Sequence, residues 1–348
     1  MKSFELTGRH YIDLIKNSEL PALIYGMGNG ADKVIDLFNE NDINILGVTA
    51  SDDFVRGQIF RGFIVKKLSD YNGEFIITPA FGTSIENVMN HIIDLNKDYR
   101  LLYPAVPVCG DKIAGDSFFE KYSDKIDAAY ELLSEKSKII FIGYLEFIYT
   151  GELRYLLDIT IEKDEIFRSF LNLDGIGTYI DVGAYKGDTV KEYLNYTKGI
   201  YDEIIAVEPD KKNYEKLKMY LDNYNNAFAV NKVCSDIIGR TGFISSGGRQ
   251  SYISEKGAPT VTVTIDELSE GKNITYIKID AEGEEQRLIK GAKNTIKRCK
   301  PKLNIALYHK FSDIFEIPLQ IAELNPDYRF EIRHHPYFPA WDTNLYCV

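Results

Sequence analysis

The chain has 348 residues, 45% of them hydrophobic and 27% charged, enough apolar material for two packed cores. Its 52 acids outnumber its 41 bases, a net charge of −11, which excludes the basic footprint of a nucleic-acid binder and points to a small-molecule substrate. Cys109, Cys234, Cys299 and Cys347 lie far apart and form no CxxC pair, so they read as reduced cytosolic thiols.

Glu5, Arg9, Asp13, Lys16 and Glu19 stand where a signal peptide has its apolar core. The longest apolar run, residues 139–149, is interrupted by Glu146, so no membrane span and a cytoplasmic location are expected. Residues 3–18 predict an amphipathic lead-in helix. Residues 21–30 then read as a strand and a glycine turn, and residues 31–39 as a helix with Val34, Ile35, Leu37 and Phe38 on its apolar face. Residues 43–49, 62–66 and 75–78 predict further strands, and 84–95 a helix. Residues 1–118 are thus expected to form a small Rossmann-like α/β domain. Its Gly26-x-Gly28-x-Gly30 turn departs from G-x-G-x-x-G, because the third glycine comes one residue early. Two uses stay open: binding a nucleotide or nucleotide sugar, or a docking or homodimer-forming domain that kept its turn.

Residues 119–165 read as a helical connector. Phe119, Tyr122, Ile126, Ala129 and Leu133 recur at helical spacing, and residues 138–157 are helical up to a break at Gly151. Interdomain packing explains this stripe.

Residues 166–348 form a second α/β unit around Tyr179-Ile-Asp-Val-Gly-Ala-Tyr-Lys-Gly-Asp-Thr189. The pattern is strand, glycine turn, helix. Asp181 at the strand end would repel a pyrophosphate but attract the sulfonium and ammonium of S-adenosylmethionine (SAM). A second strand, 204–208, ends in Glu208-Pro209, 21 residues past Gly187. An acid there is placed to take both ribose hydroxyls of an adenosine. Further strands are expected at 227–233, 261–265, 276–280, 303–308, 328–333 and 344–348, the last two as an antiparallel pair. Helices are expected at 213–222, from 283 to about 298, and at 317–324. Residues 239–254, with Gly247-Gly248, read as an irregular hairpin or loop over the site.

With these strand ends in view, residues 166–348 resemble the FkbM family of SAM-dependent methyltransferases. The motifs are Ile180-Asp-Val-Gly-Ala-Tyr-Lys-Gly187, Val207-Glu-Pro209, Val263-Thr-Ile-Asp-Glu-Leu268, Lys278-Ile-Asp-Ala-Glu-Gly-Glu-Glu285 and Lys290-Gly-Ala292. The ending, with Tyr308-His-Lys310, Arg333-His-His335 and Thr343-Asn-Leu-Tyr346, resembles one branch of it. Tyr185 stands where that family more often has Asn. The resemblance implies a class I methyltransferase fold, Rossmann-like, with a seven-stranded sheet and one antiparallel strand. It also implies O-methylation in bacterial polysaccharide or natural-product biosynthesis.

On this reading the SAM contacts are Asp181, Gly183, Ala184, Gly187, Glu208, Pro209, Ser235 and Asp236, the last accepting from the adenine amino group. A sugar hydroxyl is a poor nucleophile, so a base helps; His309, Asp280 and Glu282 are the candidates. No third ligand beside Asp280 and Glu282 is evident for a metal, and none is expected. Glu285 reads as a helix N-terminal charge, Lys278 as a snorkelling or paired lysine, and His334-His335 as structural, with one of the two free to line an acceptor pocket. The acceptor is expected to be a sugar or nucleotide sugar. Two other classes remain: an NAD(P)-linked nucleotide-sugar enzyme centred on Gly26-Gly28-Gly30, and a non-catalytic nucleotide-sugar binding module.

Overall fold

The structure, a computed structural model, describes residues 6–110, 113–244, 252–253 and 257–348. The first helix is shorter than its periodicity predicts. It runs only over Tyr11–Lys16, capped by the His10 side chain accepting from the Ile12 amide. Residues 1–5 lie outside the described part.

Four short strands follow: β1 (Ala22–Tyr25), β2 (Ile45–Thr49), β3 (Ile76–Pro79) and β4 (Arg100–Leu101). They pair in parallel in the order β2-β1-β3-β4. Parallel pairing requires crossovers, and the helices Asn29–Glu40 and Glu86–Asp98 supply two of them. Residues 62–66 do not join this sheet. Phe63–Ile64 pairs with Ile59–Phe60 in a separate hairpin, where Ile59 and Ile64 stay exposed. Val65 alone of this stretch is fully buried, and Lys66 makes a single bridge to Thr49 of β2, too little for the segment to run as a strand of the sheet.

The connector is helical over Asp116–Glu131, Glu135–Thr150 and Leu153–Ile159. Ser134 caps the second of these by accepting from the Ser137 amide, and Gly151, at φ +67°, ends it.

The second unit is built on seven strands: β5 (Thr178–Val182), β6 (Glu203–Val207), β7 (Ala227–Val230), β8 (Ile274–Ile279), β9 (Lys302–Ala306), β10 (Phe330–His334) and β11 (Thr343–Cys347). Their order is β10-β11-β9-β8-β5-β6-β7, with β11 antiparallel to both neighbours. The central strands β5, β6, β8 and β9 are almost wholly buried, as their unbroken apolar runs require of strands covered on both faces.

Val261 does not open a strand of this sheet. Ala258–Val263 belongs to a separate small sheet, antiparallel to Gly239–Ile244. Part of the expected loop over 239–254 is therefore regular strand, and Gly247-Gly248 lie outside the described residues. The helix expected from 283 to 298 is two helices, Glu285–Lys290 and Lys293–Cys299. It breaks at Gly291, where a Cβ would come 2.2 Å from the Ser235 carbonyl oxygen.

Alternation along each strand sends side chains to two cores. Tyr179, Tyr193, Tyr276 and Tyr346 gather on one face of the large sheet, with ring centroids of Tyr179 4.4 Å from Tyr193 and 4.9 Å from Tyr276. Ile180, Val182, Ile277 and Ile279 face the other way. They join one continuous cluster with the connector helices and the four-stranded sheet. The changes of architecture near residues 118 and 165 are therefore not gaps in the core. No helix among the described residues is long and apolar enough to cross a membrane.

Candidate active site

The strand β5 ends at Val182, and Gly183 turns the chain at φ +79°. A Cβ on Gly183 would sit 1.8 Å from the Asp280 carbonyl oxygen, so only glycine lets this turn rest against the end of β8. The Gly183 and Ala184 amides both donate to the Val207 carbonyl at 3.1 Å. Tyr185, at φ +49°, holds a left-handed conformation that asparagine tolerates better. Its amide donates to Glu208 Oε2 at 2.9 Å, and the Asp210 amide donates to Glu208 Oε1 at 2.9 Å. Glu208 thus ties together the loops after β5 and β6. Burial lifts its carboxyl to about 7, although the two amides pull the other way.

Asp181 lies beneath this turn, fully buried. It accepts from the Thr189 hydroxyl and stands beside Lys278 in the register of β5 with β8. Burial raises its carboxyl to about 6, against the pull of Lys278 and Thr189. The folded state therefore binds a proton that the unfolded chain has released, and stability is lost as pH rises from about 4 through 6. Asp181→Asn removes this penalty. It is expected to stabilise the protein by about 2–3 kcal/mol at pH 7, with a smaller gain at pH 5. Urea unfolding at both pH values checks this; a gain that shrinks toward pH 7 contradicts it.

The opposite wall is acidic. Asp280 follows β8, takes the Lys278 ammonium at 3.2 Å and accepts from the Tyr308 hydroxyl at 2.9 Å. Burial alone would raise its carboxyl, but Lys278, His309 and Tyr308 together hold it at about 2. His309, after β9, is buried between three carboxylates. Its Nδ1 is 2.9 Å from Glu285 Oε1, and its Nε2 lies 3.6 Å from Asp280 and 3.7 Å from Glu282. Glu285 is fully buried, and its Oε1 also accepts from the Ala281 amide at 2.8 Å. Burial alone would discharge the imidazole; Glu285 first, then Asp280 and Glu282, outweigh it and raise His309 to about 9. His309 is thus an imidazolium at neutral pH in the free protein, where the sequence suggests a base titrating near neutrality. The difference comes from three acids that follow β8 packing against a ring that follows β9.

Asp280, Glu285 and His309 have ligand atoms within 4.8 Å of one another. His309 is thus the neighbour that the sequence does not show beside Asp280, and one atom from each of the three lies within reach of a common cation; in this structure the same groups pair with one another, Glu285 at Nδ1 of the ring and Asp280 nearest Nε2. The arrangement suits a proton and its counter-charges.

These residues surround a cavity of about 430 Å³ whose wall includes Gly183, Glu208, Pro209, Asp280, Glu282 and His309. Asp181, Ala184, Gly187, Ser235 and Asp236 are not in this wall. Asp181 and Ala184 are buried under it. Gly187 packs on Tyr220, where a Cβ would come within 2.6 Å. Asp236 is held by Arg287 at 2.7 Å, and the Ser235 hydroxyl accepts from the same guanidinium at 3.2 Å, so Asp236 is already engaged rather than waiting for an adenine. His334 and His335 are structural: His334 Nδ1 is 3.0 Å from the Thr343 hydroxyl, and His335 bridges the Ile161 carbonyl and the Tyr346 hydroxyl. Lys163, Tyr337 and Trp341 also line the cavity, outside every motif of the sequence. Lys163 comes from the connector and is held by Glu192 at 3.3 Å and Asp342 at 3.2 Å. No local motif announces it, because its partners are distant in sequence.

The cavity beside Gly30 is about 30 Å³ and lined largely by apolar and aromatic side chains, room for about one water. Gly30 is needed for packing, since a Cβ would come 2.3 Å from the Ala80 carbonyl oxygen.

Comparison with known proteins agrees with this geometry. The fold resembles a crystal structure described as methyltransferase FkbM from Methylobacillus flagellatus, with 19% identity and a TM-score of 0.74 over 97% of this chain and 92% of that one. The likeness takes in the four-stranded unit, which the sequence motifs leave out. Fibrillarin of Aeropyrum pernix, solved with natively bound SAM, covers 50% of this chain and 67% of its own at 12% identity and a TM-score of 0.32, too partial to argue from. No curated protein matches the sequence. Residues 181–343 match the family described as methyltransferase FkbM domain, and that segment holds the Gly183 turn and the strand ends described above.

Proposed function

We propose that the protein is a SAM-dependent O-methyltransferase acting in the cytoplasm on a hydroxyl of a sugar or glycan precursor. The observation that carries this reading is one cavity bounded by the Gly183 turn, the Glu208 carboxylate and the His309–Glu285 pair. A volume of about 430 Å³ is within the range of small-molecule sites. The donor fits the first half: Gly183 brings bare backbone to the wall, and Glu208 offers a carboxylate where ribose hydroxyls would donate. SAM, when bound, supplies a methyl group on a sulfonium that departs as neutral S-adenosylhomocysteine (SAH).

The chain's own contribution is alignment and proton removal. Glu282 and Asp280 accept from the acceptor's hydroxyls and orient it. Glu285 fixes the imidazole through Nδ1, leaving Nε2 toward the cavity, so a deprotonated His309 takes the hydroxyl proton there. The same buried-acid-to-imidazole order operates in hydrolase triads. Tyr337 and Trp341, with ring centroids 6.1 Å apart, give the acceptor half an aromatic wall suited to a sugar ring.

Calorimetric titration with SAM, SAH and NAD in parallel tests the reading. SAM and SAH are expected to bind and NAD to give no heat. Glu208→Ala is expected to weaken SAH by about 10–100-fold, the worth of one or two charge-assisted hydrogen bonds. Binding of NAD alone would overturn the proposal, and an unchanged SAH affinity in the variant would remove Glu208 from the donor site.

A further inference from the structure

Two strips of the N-terminal unit reach the part of the second unit that surrounds the cavity. Segment 107–109 lies across the turn that carries Glu282. The Cys109 amide donates to the His309 carbonyl at 3.0 Å, and the Cys109 thiol donates to the Glu282 carbonyl at 3.1 Å. Gly283, at φ +91°, is bare on that side; its Cβ would meet Cys109 at 3.0 Å. Lys33, from the same unit, holds the segment by donating to the Pro107 and Val108 carbonyls at 2.8 and 3.0 Å. A second strip, residues 82–84, lies along the aromatic loop before β11. The Thr83 and Phe338 backbones exchange hydrogen bonds at 2.7 and 2.9 Å, and Gly82 is pressed against Trp341.

Both strips end in the cavity wall, one at Val108 and the other at Ser84. Both meet elements at the ends of β8, β9 and β11, the half holding Glu282, His309 and Trp341. The donor half, at Gly183 and Glu208, is formed by the loops after β5 and β6. The charge of the acceptor half restricts what enters. Glu282, Asp280 and Asp342 face it, while Lys163 is held by Glu192 and Asp342, and Lys278 by Asp280. Each of these lysines is already paired with acids, so a phosphate there would meet carboxylates rather than a free cation.

We infer that the N-terminal α/β unit is the acceptor-selecting wall of the transfer site, and that Ser84 and Val108 shape it for a neutral, hydroxyl-rich ring carrying no phosphate at the reacting end. This rests on the proposed methyl transfer and adds to it the role of the first 118 residues and the charge class of the acceptor.

The test uses the full chain with labelled SAM and three acceptor pools: neutral methyl glycosides, sugar 1-phosphates and UDP-sugars. SAH calorimetry runs alongside. The wild type is expected to methylate the neutral pool at least tenfold faster than either phosphorylated pool. Val108→Trp, which fills the acceptor half, is expected to lose this transfer by more than a hundredfold with SAH affinity unchanged. Ser84→Asn, at an exposed edge where misfolding is not a concern, is expected to raise KM for the neutral acceptor several-fold at constant kcat. Normal KM and turnover in both variants would overturn the wall. Preference for a phosphorylated pool, or transfer to none of the three with SAH bound, would overturn the acceptor class. Absence of SAH binding to the wild type would instead overturn the donor reading, and this inference with it.

Discussion

His309→Gln is expected to lower kcat by about 10²–10⁴-fold, the range for removing a general base, while SAH affinity stays within about twofold. In the proposed reading the ring belongs to the acceptor half, so its loss acts on proton removal rather than on donor binding. The charge state of His309 gives this prediction a signature that a structural role would not produce. Three carboxylates raise the imidazolium to about 9 in the free protein. A base must first lose that proton, so kcat/KM is expected to rise with pH and level off above about 9. Glu282→Gln removes one negative neighbour 3.7 Å from Nε2. The imidazolium is then less favoured, and the midpoint should move down toward the ordinary histidine value of 6.5. A profile flat between about pH 6 and pH 10 would remove His309 as the base and pass the role to a carboxylate.

Gly183→Ala is expected to abolish SAH binding and to destabilise the domain. A non-glycine residue at φ +79° carries backbone strain of about 1–3 kcal/mol. The added carbon would also lie 1.8 Å from the Asp280 carbonyl, a clash relieved only by parting the β5 turn from β8. Since Asp280 and Gly183 bound the same cavity, the displacement damages both halves of the site. Gly28→Ala is the matching control, because a Cβ at Gly28 meets nothing within 4 Å, and it should leave SAH binding and thermal stability as they are. SAH calorimetry and thermal unfolding of the two variants check the contrast. Normal SAH binding by the Gly183→Ala variant would show that the turn does not press on β8.

The chain itself determined the large sheet. The strands β5, β6, β8 and β9 are long, apolar runs punctuated by glycine and by acids at their ends, and a run buried on both faces has few other places to go. The positions of Glu208 and Asp280 at strand ends follow from the same pattern. Short-range signals failed where the stabilising partner is far away. The strand β4 is only Arg100–Leu101, too short for any periodicity, and exists because Ile76 and Ile77 pair with it. Residues 62–66 look like a strand of the first sheet by composition, yet Phe63–Ile64 pairs with its own hairpin neighbour and Lys66 alone bridges to Thr49 of β2.

The site divides in the same way. Asp181 is chosen by position in the sequence, but the fold turns it under the cavity floor against Thr189 and Lys278. The strand expected over 227–233 stops at Val230, Val233–Cys234 joins the small sheet instead, and Asp236 beyond it is taken by a guanidinium fifty-one residues on. Glu285 looks like a surface helix charge until β9 brings His309 within 2.9 Å of it. Lys163, Val108 and Ser84 reach the cavity from outside the methyltransferase domain. Sequence decides which side chains a strand can present and at which end, since those are local matters of period and turn. Burial, ion pairing and the charge state of His309 depend on distances between segments far apart in the chain, and only the packed structure sets those distances.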